Sequence, residues 1–132
     1  MKPISDLSQL LRSMAPTLRP ETYAFALVPN LAALDPALVH AFIREDEAVS
    51  VVMRESDAIS AGLAVLYRCA WITLTVHSDL EAVGLTAAFA SALGAAGISC
   101  NVVAGACHDH LFVPVEQGDQ AMQALRALQA RS

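Results

Sequence analysis

From Trp71 to His77 the chain alternates. Ile72, Leu74 and Val76 fall on one side and Trp71, Thr73, Thr75 and His77 on the other, which is the two-residue period of a strand. The order Ser78-Asp-Leu-Glu81 fits a capping box, so a helix is predicted to start there. Leu85, Phe89, Ala92, Leu93 and Ala96 then form its apolar stripe. Gly97 closes that helix, residues 98–104 read as a second strand, 105–108 as a turn and 109–115 as a third strand. Residues 117–130 carry a further helical stripe of Ala121, Leu125 and Leu128. Upstream, Asp6-Leu-Ser-Gln9 offers a helix N-cap, with Leu7, Leu10, Leu11 and Met14 on one face and Pro16 as the stop. Residues 21–28 form a strand pattern with Tyr23, Phe25 and Leu27 on one face, and 30–36 read as loop. Residues 38–43 and 48–53 suggest a hairpin around the charged turn Arg44-Glu-Asp-Glu47. Ser56 and Asp57 are placed to cap a short helix, after which residues 65–68 lead back to the Trp71 strand.

These elements predict an α+β chain of two ferredoxin-like, βαββαβ-type units packed together, residues 1–65 and 66–132, each a sheet with helices on one face. The second unit is one strand short, because only Arg131 and Ser132 follow its last helix. Strands are therefore expected to be shared between the halves, with the segment around Thr22 to Val28 the candidate for the gap. In that case neither half folds alone. The apolar side of the Trp71 strand needs a helix layer, and its mixed side leaves a second face for a partner.

Composition narrows the class. With 132 residues, 55% of them apolar, and a mean hydropathy of +0.48, the chain must bury most of itself, which excludes disorder. A net charge of −5 speaks against nucleic acid or an anionic membrane as partner. Residues 82–107 carry no charge, yet they are rich in Ala, Gly and Ser, include Asn101, and are broken by Gly84, Gly94 and Gly97, so no membrane span is expected. Nor does the N-terminus show an apolar run of signal-peptide type. Cys69, Cys100 and Cys107 share no CxxC spacing and suggest small core residues in a reducing compartment. A cytoplasmic protein is expected.

Two kinds of chemistry remain to be weighed. His108-Asp-His110 places two imidazoles on one face of a strand, and His77 or Cys107 could complete a transition-metal site, the starting point for a metal-dependent hydrolase. A fourth ligand and a positioned general base are lacking, so no metal or cofactor is expected. Cys107 and His108 are adjacent and so point to opposite sides of a strand, which is poor geometry for a thiolate–imidazole pair. No phosphate-binding glycine loop occurs, and Glu45, Asp46 and Glu47 are most simply a solvated turn.

Leu93-Gly-Ala-Ala-Gly-Ile-Ser-Cys-Asn-Val-Val-Ala-Gly105, followed by His108-Asp-His-Leu-Phe-Val-Pro114, resembles the ACT-domain pattern in which a helix ends before a Gly-Ile pair, a strand follows, and a third strand opens on Asp. The arrangement is similar to the tandem ACT pairs of aspartate kinase regulatory regions and cytosolic arginine sensors. The stretch from Ile72 to Phe89 resembles small uncharacterised bacterial proteins with two such domains. The likeness is close over the second half and an outline over the first. It implies a non-catalytic regulatory protein that binds an amino acid or similar small ligand at the seam between domains, forms a homodimer and acts on a regulated enzyme partner. By position, the resemblance puts the ligand site at His77, Ser78, Asp79, Val83, Gly84, Leu85, Asn101, Val102 and Asp109. Free N–H groups at a helix start attract a carboxylate, glycine allows close approach, and Asp79, Glu81 or Asp109 could face an ammonium. The family's Asp-x-Pro-Gly loop is replaced here by Ser78-Asp-Leu-Glu-Ala-Val-Gly84, so the ligand's identity is not inherited. A ligand-free interaction dimer, or metal binding through His108 and His110, are the rival readings.

Overall fold

Asp6 opens the first helix as expected: its carboxylate accepts from the Gln9 N–H at 2.9 Å, satisfying one of the helix's unpaired donors. The computed structural model describes residues 6–76 and 83–132. They fall into two compact units, Pro20–Cys69 and Met1–Arg19 with Ala70–Ser132.

In the Pro20–Cys69 unit the strands are β2, Tyr23–Val28, β3, Ala41–Arg44, β4, Val49–Arg54, and the first part of β5, Val65–Leu74. Their order is β3-β4-β2-β5, each neighbour antiparallel, with Tyr23 opposite Arg54 and Cys69, and Ala41 opposite Val52. Ala24, Ala26 and Val28 of β2 pack with Val49, Val51 and Met53 of β4 against helix α2, Glu55–Ser60, through Ala58. Small residues at 24 and 26 let α2 sit close to the sheet. Two 3-10 turns, Leu31–Ala33 and Pro36–Leu38, join β2 to β3; Asn30 and Asp35 cap them by accepting from Ala32 and Ala37. The second turn consumes residues that alternation assigned to a strand, so β3 starts at Ala41 and not at Leu38. A second correction concerns α2. Ser56 and Asp57 do not cap it but sit in its first turn, because β4 runs straight into the helix at Arg54. The Glu55 N–H instead donates to the Thr22 carbonyl at 2.9 Å, and Glu55 and Asp57 complement the helix dipole.

The other unit holds α1, Leu7–Ser13, β1, Pro16–Leu18, the second part of β5, α3, Leu85–Ala95, β6, Asn101–Ala104, β7, Asp109–Pro114, and α4, Gly118–Ala130. Ile72, Leu74 and Val76 form the apolar face as predicted and pack with Phe89 and Leu93 of α3, Leu125 of α4, Leu10 of α1 and Met14 at its C-cap. Leu85, Phe89 and Leu93 of the α3 stripe are buried; Ala96 is exposed at the helix's C-cap. Gly97, at φ 75°, ends α3, and the Ile98 N–H returns to the Leu93 carbonyl at 2.9 Å. That hydrogen bond and the burial of Ile98 in the core belong to the helix stop, so β6 begins only at Asn101.

The missing strand is supplied by the N-terminal segment, though not by the part expected. β1 lies antiparallel to β5, with Pro16 opposite Leu74 and Leu18 opposite Ile72, while Tyr23–Val28 belongs to the first unit. The reason is local: Pro16 stops α1, and the next residues are already beside the Leu74 end of β5. Gln129 of α4 ties the junction down, donating to the carbonyls of Arg12 and Met14.

Candidate functional site

The start of α3 is built on Gly84. Its φ of 99° is left-handed backbone that favours glycine, and a Cβ there would meet Leu7 Cδ2 at 3.0 Å. No described side chain caps α3 at this position, and the predicted box of Ser78 and Glu81 lies outside the described residues. His77, Ser78, Asp79 and Glu81 lie outside the described residues. Val83 is 84% exposed immediately before the glycine, whereas Leu85 is buried in the core and offers only its backbone.

Along the β6–β7 hairpin, Asn101 is exposed opposite Phe112, and Val102 packs partly into the core opposite Leu111. Asp109 is buried opposite Ala104, three residues along the ladder from Asn101, or ~10 Å at strand spacing. Gly84 and Leu85 are thus brought together at one helix end, and Asn101 and Val102 on one strand with opposed side chains, while Asp109 stands at the hairpin's far end. Among the described residues, open grooves of about 490 Å³ between β1 and α4 and about 270 Å³ beside the β3–β4 turn lie elsewhere. Neither is lined by these residues.

A cluster that sequence reasoning did not assemble lies on the other side of β5. Trp71 donates from Nε1 to His110 Nδ1 at 3.1 Å, and the Thr73 hydroxyl is 3.3 Å from the same nitrogen. Trp71 also packs edge-on against His110 and tilted against Phe112. Arg19 donates its backbone N–H to the Trp71 carbonyl at 3.0 Å, and its guanidinium carbon stands 3.6 Å over the indole ring. Alternation places Trp71 and Thr73 away from the core. Arg19 had no such signal, since its position depends on how β1 pairs.

Burial lowers the pKa of His110 below its ordinary 6.5; the positive charges of Arg19 and His108 lower it further, and Asp109 offsets part of this. An indole N–H can only donate, so Nδ1 is the acceptor and Nε2 carries the proton. The unfolded chain therefore binds this proton more readily than the folded one. Stability from this group is present above pH 6.5 and is lost as pH falls through the lowered folded value. Denaturant midpoints measured downward from pH 7 should fall, and His110→Gln should flatten the fall; an equal pH dependence in both proteins would contradict the assignment.

Burial pushes the Cys69 thiol up to about 12 and that of Cys100 to about 11, far from a reactive thiolate. Cys107 is exposed, unlike the core position expected for it. Among the described residues no group of three His, Cys, Asp or Glu is placed to hold a metal ion, and His110 has already committed one nitrogen to Trp71. No described helix is long and apolar enough to cross a membrane.

Two family models, each described as an ACT domain, match the chain at residues 2–70 and 66–127. A Vibrio cholerae protein of unknown function, described as a possible transport protein, is 45% identical over 93% of this chain and 95% of its own, with a TM-score of 0.83. The ligand-free regulatory subunit of aspartate kinase from Thermus thermophilus is 12% identical, covering 86% of this chain and 97% of that one, with a TM-score of 0.68. Aspartokinase III of E. coli, in complex with aspartate and ADP, matches 86% of this chain with a third (33%) of its own, at 17% identity and a TM-score of 0.63. No curated protein sequence matches.

Proposed function

The chain belongs to the ACT-domain family, two domains in tandem with the ferredoxin-like α+β fold, and from this we propose that it is a non-catalytic, small-molecule-binding regulatory protein whose ligand is an amino acid or a close relative. The observation that carries the reading is the tandem match across both halves, in a chain that shares its fold with aspartate kinase regulatory subunits. At those subunits' scale the protein would act as a cytoplasmic homodimer on a separate regulated enzyme. The start of α3 supports a ligand site there. Its first N–H groups receive no side-chain cap from the described residues, the arrangement that accepts a carboxylate. Exposed Asn101 on β6 and the His77-Ser78-Asp79 segment would complete the site, with Val83, Leu85 and Val102 framing it and Asp109 serving the hairpin.

Thermal-shift screening against the amino acids tests this. A ligand at a hundredfold excess over Kd adds ~2.7 kcal/mol, which is several degrees for a chain of this size. Asn101→Ala, at an exposed position, should shrink the ligand-induced shift while sparing the fold. Gly84→Val should abolish the shift and, because of its positive φ, also lower the unliganded midpoint. If no amino acid or related compound raises the midpoint, the sensor reading is wrong and an interaction dimer becomes the better account.

A further inference from the structure

The Arg19 cluster is on the sheet face turned away from α3 and α4, so it is distinct from the carboxylate position proposed at the start of α3. Three of its features are those of a receptor for an anion. Arg19 is half-buried and fixed at both ends, by its backbone bond to Trp71 and by stacking on the indole. Among the described residues no carboxylate lies within ion-pair distance of it; the carboxylates of Glu21 and Glu55 are engaged by Arg54 and Arg68. A guanidinium held in place without a counterion presents its fork of donors for a planar, bidentate acceptor.

His110 supplies the second feature. Trp71 and Thr73 both address Nδ1, which leaves Nε2–H as a donor with no protein acceptor among the described residues. The third is Gly105, whose backbone passes beside that nitrogen. A Cβ at this position would come within 3.3 Å of His110 Nε2 and 2.9 Å of the His108 carbonyl oxygen, so only glycine keeps the approach open. Nearby, His108 Nδ1 is buried and also lacks a hydrogen-bond partner among the described residues. The indole thus anchors a cation and a neutral donor together; the neighbouring acid, Asp109, is buried opposite Ala104, and no described carboxylate is ion-paired with Arg19.

We propose that Arg19 and His110 form a binding site for a small carboxylate, gripped by the guanidinium fork and the imidazole Nε2–H beside Trp71. One guanidinium and one neutral donor match a monoanion. A phosphate dianion would call for more positive charge than the described residues supply here.

Trp71 is the chain's single tryptophan, so its fluorescence reports the site directly. The full-length protein is titrated with sodium acetate at constant ionic strength against a sodium chloride background, and in parallel with sodium phosphate. Acetate should give a saturable change. Arg19→Gln should weaken apparent affinity about tenfold or more, and Arg19→Lys, which keeps the charge without the fork, by less. His110→Ala should weaken binding, and His110→Gln should restore part of it, because the amide nitrogen of Gln can take the place of Nε2–H. Arg126→Gln, at an exposed guanidinium on α4, should leave the titration unchanged. Far-ultraviolet circular dichroism checks each variant's fold. The proposal is overturned if acetate gives no saturable change, if folded Arg19→Gln binds acetate as the parent does, or if phosphate binds more tightly than acetate.

Discussion

A chain that begins at Pro20 is expected to lose the cooperative unfolding of the unit formed by Ala70–Ser132. The deletion removes α1 and β1, and with them Leu10 and Met14, both fully buried, and Leu11, which is nearly so. Truncating a single buried Leu or Met to Ala costs about 2–5 kcal/mol. Losing three such side chains together is on the order of a whole domain's stability, about 5–15 kcal/mol. The strand pairing from Pro16–Leu74 to Leu18–Ile72 goes as well, leaving one edge of this part of β5 unpaired. The acceptors for Gln129 on α4 also disappear. Urea titrations of residues 20–132 and of the full chain, followed by circular dichroism, compare the two. An unchanged midpoint and slope in the shortened chain would show that α1 and β1 are dispensable, contrary to their place in the core.

The largest effect of a single substitution is expected at Phe89. It is fully buried in the middle of α3, in the cluster that includes Ile72, Leu93 and Leu125. Phe89→Ala should cost about 3–5 kcal/mol from lost transfer energy and the cavity left behind. For a chain of this length that lowers the melting temperature by ~10 °C or more. Ile59→Ala is the matched control, since Ile59 is 61% exposed on α2; its effect should stay within about 0.5 kcal/mol. Comparable losses at the two positions would mean that α3 does not carry the core as its burial indicates.

Local signals in the sequence were strong wherever one short stretch settled the outcome. Asp6 caps α1, Gly97 stops α3, and Gly105 closes its turn on the His108 carbonyl at 2.9 Å. The stripe Ala121, Leu125 and Leu128 is the buried face of α4. Errors came where two local signals competed. Asp35 and Pro36 drew Pro36–Leu38 into a 3-10 turn against a weak alternation, and Ile98 was claimed by the helix stop and not by β6. At α3 the described helix starts after Gly84, whose positive φ suits glycine.

The candidate sites divide in the same way. The glycine before α3 and the polar residue opening β6 were visible as residue types at motif spacing. The Arg19–Trp71–His110 cluster was not, although half of it was implied by the alternation that put Trp71 and Thr73 away from the core.

The sequence by itself determined the longer helices and strands, the buried stripes of α3 and α4, the apolar face of β5, and the need for one more strand than the second half contains. A side chain's periodicity and a cap's donor are properties of a few neighbouring residues, so they can be read without knowing the fold. Only the tertiary structure decided that Pro16–Leu18 fills the gap and that Arg19 therefore stacks on Trp71. The backbone hydrogen bonds of a strand are nearly indifferent to which segment completes them. That choice is made by chain reach and core packing over residues far apart in sequence, here Leu10 and Met14 closing against Ile72 and Leu74.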